Sequence, residues 1–242
     1  MRSSNPILKE GTFEGLGEST ARMTINGTVT RTLILLALMV AAALFTWDKV
    51  RGGDVQGAVP WMLGGLIGGL VFCLITCFAK PASPFTAPIY AICEGLFLGA
   101  LSAFMETRFP GIVLNAVLLT GGTLFGLLAA YRTGLIRATE NFKLGVFAAT
   151  VGIALVYLVS LVMNLFGKNI PYIHDSGWIG IGFSLFVVVI AALNLVLDFD
   201  FIEQGEAAGA PKYMEWYAAF GLMVTLIWLY IEFLRLLAKL RR

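Results

Sequence analysis

Charge is scarce in this 242-residue chain. Asp, Glu, Lys and Arg make up 13% of it, about half the share of an ordinary soluble domain. Apolar residues make up 58%, and the mean hydropathy is +0.85. So little polar surface excludes a large soluble catalytic module. The net charge is only +2 and the basic residues are dispersed, which excludes a nucleic-acid footprint or a polybasic arm. Histidine occurs once, at His174, so a multi-histidine metal centre or an H-E-x-x-H motif is impossible. A Ser-His-Asp protease would have to use that one loop residue. The three cysteines, Cys73, Cys77 and Cys93, are odd in number, lack C-x-x-C spacing and lie inside apolar stretches. They read as small buried hydrophobes rather than disulfides or zinc ligands. No cofactor and no enzymatic activity are expected.

What the chain does have is long apolar runs, over residues 32–47, 59–79, 88–105, 111–131, 144–166, 178–197 and 215–237. A bilayer core takes about 20 mostly apolar residues per helix. The pattern therefore predicts an all-α integral membrane protein with seven transmembrane helices in contact with the lipid bilayer. Residues 1–31 are polar and carry Gly11, Gly15 and Gly17 without apolar periodicity, so they read as a flexible polar tail ahead of a seven-helix domain over 32–242. The first run starts too late for a secretory signal, which makes it an uncleaved span. Short connections punctuated by Pro and Gly leave no room for an independent domain. Lys and Arg divide almost evenly between the two sides, so the positive-inside rule leaves orientation open. The basic loop of Arg132, Arg137 and Lys143 favours a cytoplasmic amino terminus, and the last run reads as a crossing helix or a re-entrant one. The pairs Gly64/Gly68, Gly65/Gly69, Gly95/Gly99 and Gly122/Gly126 are spaced by four, which lets neighbouring backbones approach closely, inside a bundle or at a dimer seam.

The few ionisable residues within apolar runs carry the functional information, because a charge in hydrocarbon costs at least about 2.5–3.5 kcal/mol unless it meets water or a partner. Glu94 lies too deep in the third run to snorkel out. Its plain reading is a neutral acid bonded to a neighbouring helix; its functional reading is an ion ligand. Asp198 and Asp200 close the sixth run in "LNLVLDFDFIEQ", with Ser184, Ala191, Asn194 and Asp198 on one small, polar face. Alternating helix direction brings Glu94, Asp198 and Glu215 to one membrane face, with Arg132 as their expected counter-ion. In the seventh run Gly221, Thr225, Trp228, Glu232 and Arg235 share a face, and Glu232 and Arg235 read as an interfacial salt bridge. A retinal protein is excluded because residues 215–237 contain no lysine for a Schiff base. An intramembrane aspartyl protease is excluded because Asp198 has no mate on another helix.

The segments "APIYAICEGLFLGALSAFMETRFPGIVLNAVLLTGGTLFGLL", "SLFVVVIAALNLVLDFDFIEQG" and "LIWLYIEFLRLL" resemble the Bax inhibitor-1 / YccA family, the transmembrane Bax-inhibitor-motif proteins, over about residues 30–240. The E-G-L-x-L-G run, the aspartate closing the sixth helix and the final L-x-x-L-R-x-L pattern carry the resemblance. It implies six helices wrapped around a central seventh, and a proton-sensitive calcium leak. It also implies regulatory roles in stress, cell death and membrane proteolysis and, for the bacterial branch, a place in the inner membrane. The family's pH-sensing latch is a pair of aspartates on the sixth and seventh helices. Asp198 matches the first, whereas aligning Arg235 with the family's closing arginine puts Thr225 at the second. The nearest other acids are Glu94 and Glu215, the latter about 15 Å along the helix from Thr225. The expectation is a calcium ion held by Asp198 with Glu94, and pH sensing by Asp198 with Glu215, Arg132 and Thr225 as neighbours. The alternative is a non-conducting membrane regulator that binds another membrane protein.

Overall fold

Each apolar run falls on one helix. In the computed structural model, which describes residues 22–166 and 177–241, the helices are α1 (Ile25–Arg51), α2 (Val55–Phe78), α3 (Ser83–Arg108), α4 (Ile112–Arg132), α5 (Glu140–Leu165), α6 (Trp178–Ala207) and α7 (Met214–Leu240). A single 3-10 turn, Lys80–Ala82, leads into α3. All seven are long and apolar enough to cross a membrane. His174 and residues 1–21 of the expected tail lie outside the described residues.

The helices α1, α3, α6 and α7 extend beyond their apolar runs because hydropathy marks the hydrocarbon layer, whereas a helix continues until a cap or breaker ends it. Two expectations change as a result. The tail does not extend to residue 31: α1 begins at Ile25, after Thr24 in extended conformation, whose Oγ1 accepts the Gly27 N–H at 3.0 Å. Nor does Asp198 close the sixth helix, since α6 continues to Ala207. Other starts are capped in the same way. Asp54 accepts the Gly57 N–H at 2.9 Å, and that bond, then Lys49, holds its carboxyl below the usual range. At α4 the cap comes from the preceding helix: Glu106 accepts from Gly111 N–H at 2.6 Å and Val113 N–H at 3.1 Å. Gly111 makes the tight turn possible with φ of 79°, a backbone region costly for any side chain.

Burial divides the helices. In α3, α6 and α7, 44–50% of the most apolar window is buried, against 11–17% in α1, α2, α4 and α5. The latter four display Leu33, Leu70, Leu118, Phe125 and Leu155 outward, which is the surface expected of a protein whose solvent is lipid.

The chain forms two compact units. One comprises the described residues of 13–113 and 201–224, hence α1–α3 with the end of α6 and the start of α7. Here α3 packs on both α1 and α2. Glycine permits it: a Cβ on Gly95 or Gly99 would overlap the carbonyl oxygen of Met39 or Ala43 in α1, and one on Gly65 would collide with the Cys93 carbonyl. The other unit comprises the described residues of 114–200 and 225–242. Ile153, Val187 and Ile190 form its buried cluster, lined by Tyr157, Phe183 and Trp228.

The glycine pairs are thus not equivalent. Gly122 and Gly126 on α4 have nothing within 4 Å of an added Cβ. Gly99→Ala is expected to destabilise the protein by about 1–3 kcal/mol, because backbone must move. Gly122→Ala is expected to stabilise it by about 0.5–1 kcal/mol through helix propensity. Thermal unfolding in detergent checks both signs.

Candidate functional site

Asp198 belongs to the unit of residues 114–200 and 225–242. The face that carries it is buried elsewhere, with Ser184 and Ala191 at 1% and 0% exposure. Asn194 fastens this face to α5, donating from Nδ2 to Thr150 Oγ1 at 2.9 Å. Asp198 itself is half-buried. The Thr225 hydroxyl of α7 faces its carboxyl, and its Oδ2 is buried without a hydrogen-bond partner among the described residues. A carboxylate oxygen removed from water with no donor is costly unless a proton or a cation occupies it. Thr225 therefore stands beside Asp198 as expected, but supplies a hydroxyl and no charge. Arg132 ends α4 in an exposed position. The neighbouring Asp200 is bonded by Lys143 of α5 at 2.8 Å.

Along α7 the same unit holds a second buried acid. Glu232 is 1% exposed, and it pairs with the half-exposed Arg235. Tyr157 of α5 donates to Glu232 Oε1 at 2.9 Å, and Arg235 Nη1 donates to the two carboxylate oxygens at 2.9 and 3.2 Å. The same Nη1 also donates to the Tyr157 hydroxyl, and the guanidinium lies 5.0 Å from the Tyr157 ring centroid. One turn on, buried Lys239 donates to Gly180 O and Ser184 Oγ of α6, each at 2.9 Å. Tyr157 and Lys239 are neighbours of these charged groups that the sequence did not mark. A lone tyrosine in an apolar span, and a lysine in a terminal basic run, carry no pattern of their own.

Glu94 belongs to the unit of residues 13–113 and 201–224. It is half-buried, hydrogen-bonded to Tyr90 one turn earlier on α3, and pressed against α2 at Gly69, where a Cβ would lie 2.8 Å from Oε1. The nearby Cys73 and Cys77 thiols are hydrogen-bonded to each other. All three cysteines are free and half-buried rather than fully enclosed.

Glu215 does not join Glu94. It is completely buried and its Oε1 accepts from Thr24 N–H at 3.1 Å, Thr24 Oγ1 at 3.0 Å and Lys212 Nζ at 2.7 Å. Arg31 Nε stands 3.8 Å from Oε2, with its guanidinium over Trp216. Close by, Met23 N–H donates to Ala210 O at 2.7 Å and Ile25 N–H to Glu206 Oε1 at 2.8 Å. Arg22 forms a β-bridge with Pro211. A side chain on Gly27 would overlap the Glu215 carboxylate. The acid expected beside an ion site is thus the clasp that binds the start of α1 to the α6–α7 connection. Its cations are Lys212 and Arg31. Among the described residues, no group of three or more His, Cys, Asp or Glu side chains lies close enough to hold a metal ion.

Seven membrane-length helices among the described residues define a multi-pass integral membrane protein. Within that class the chain belongs to the Bax inhibitor 1 like family, whose family model matches residues 5–242. Comparison with curated proteins and with solved structures gave no significant match.

Proposed function

We propose that this protein is a proton-sensitive cation leak of a bacterial cell membrane, with calcium as the permeating ion, and that it is not an enzyme. The observation that carries the reading is the Asp198 carboxyl, with one buried oxygen lacking a hydrogen-bond partner among the described residues and a hydroxyl facing it. Calcium is a hard cation that takes carboxylate, carbonyl and hydroxyl oxygens. Protonation of Asp198 removes the charge that attracts it, so the leak falls as pH falls. Glu94 offers a further carboxylate in the other unit. Membership of the Bax inhibitor 1 like family supports the reading.

Purified protein in vesicles loaded with a calcium indicator tests it. Flux above that of protein-free vesicles, decreasing from about pH 8 to pH 5, the span that covers a buried acid, is the expected result. Vesicles no leakier than lipid alone would overturn it. A second reading, a non-conducting regulator that binds another membrane protein, draws on the open glycine face of α4 at Gly122 and Gly126. Absence of flux would favour it.

A further inference from the structure

The polar side chains of the unit holding Asp198 are not confined to that residue. On α6, Gly180, Ser184, Ala191, Asn194 and Asp198 follow one face. On α7, Thr225, Glu232, Arg235 and Lys239 follow another. The two faces meet at both ends, through Asp198 with Thr225 and through Ser184 with Lys239. Fourteen residues separate the two ends on each helix, about 21 Å of rise, which is most of a hydrocarbon layer. Between them stands Glu232, seven residues and about 10 Å beyond Thr225. Along this seam Glu232 is the next carboxylate after Asp198.

That carboxylate is already filled. Arg235 Nη1 contacts both of its oxygens, and Tyr157 donates to Oε1 and accepts from the same Nη1. The guanidinium stands where a permeating cation would bind and is fixed there by the tyrosine ring and hydroxyl. Its other charged neighbour is Lys239, which adds positive charge. Fully buried Glu232 contrasts with Arg235, whose side chain is 36% exposed, so the cation can leave without unpacking the acid.

We propose that Arg235 is a tethered cation that plugs the leak: its guanidinium occupies the Glu232 carboxylate, Tyr157 positions it there, and calcium passes only when it withdraws. The inference rests on the leak reading given above and adds to it a second control point remote from Asp198. A purely structural ion pair would also be buried and hydrogen-bonded, so stability does not distinguish the two, whereas conduction does.

The test is calcium flux in vesicles for wild type, Arg235→Gln, Arg235→Lys and Tyr157→Phe, each first shown to be folded by gel filtration in detergent. Arg235→Gln is expected to raise flux about tenfold, the factor equivalent to about 1.4 kcal/mol. Arg235→Lys keeps a tethered cation, though without the planar fork, and is expected to return flux close to wild type. Tyr157→Phe leaves both charges and loosens their geometry, with a smaller rise expected. Wild-type conduction with Arg235→Gln unchanged would overturn the plug alone. Flux in neither would overturn the plug and the leak together. If Arg235→Gln does not fold, Tyr157→Phe decides: a rise supports the plug and unchanged flux overturns it.

Discussion

Asp198→Asn is expected to lower calcium flux at least about tenfold and to leave what remains insensitive to pH. Asparagine keeps the shape and the acceptor facing Thr225 but fixes the uncharged state. At an effective dielectric near 20, unit charges about 4 Å apart interact by about 4 kcal/mol, and a third of that already corresponds to tenfold in occupancy. Since Thr225 cannot titrate, wild type should follow a single shallow proton dependence. Thr225→Asp creates two acids that share a site, and coupled titration should steepen the profile. Flux measured across about pH 5 to pH 8, the span covering a buried acid, distinguishes these outcomes. An Asp198→Asn protein with wild-type flux and wild-type pH response would remove Asp198 from the mechanism.

Glu215→Ala is expected to destabilise the protein by about 3 kcal/mol, in the range for removing one partner of a buried ion pair. The substitution leaves the Thr24 N–H and hydroxyl, Lys212 and Arg31 without their common acceptor. Lys212→Met should cost little, because that lysine is 46% exposed and water replaces its partner. Glu215→Gln should fall between, retaining an acceptor for Thr24 but no charge for Arg31. Melting temperatures in detergent give the order. If Glu215→Ala and Lys212→Met melt alike, the clasp contributes nothing that solvent does not.

The existence of seven spans was legible because hydropathy over about 20 residues is a strong signal. Their ends were not. Residues 25–31 and 201–207 are polar enough to leave the hydrocarbon and still remain helical, held by Thr24 and by the register of the helix itself. Asp198 stood out as an acid on a small, polar face, and that face is buried. Glu215 was visible as an acid near a membrane boundary, but its partners were hidden. They include the backbone N–H of Thr24, which every residue type but proline presents alike, and residues almost two hundred positions away. Glycine spacing revealed that close packing was available at Gly95/Gly99 and Gly122/Gly126 alike. Only the first pair has a neighbouring backbone, because spacing says nothing of which helix face is occupied.

The cap that completes the start of α1 has a consequence for how the chain is made. Glu215 lies 191 residues after Thr24, and Glu206 lies 181 residues after Ile25. During synthesis the first helix therefore enters the bilayer with the Thr24 and Ile25 N–H groups unanswered by protein, and only Gly27 N–H already capped by the Thr24 hydroxyl. Those donors remain on water or headgroups until the α6–α7 connection emerges. Closure of the start of α1 is therefore a late step of biogenesis, completed only once Glu206 and Glu215 have emerged.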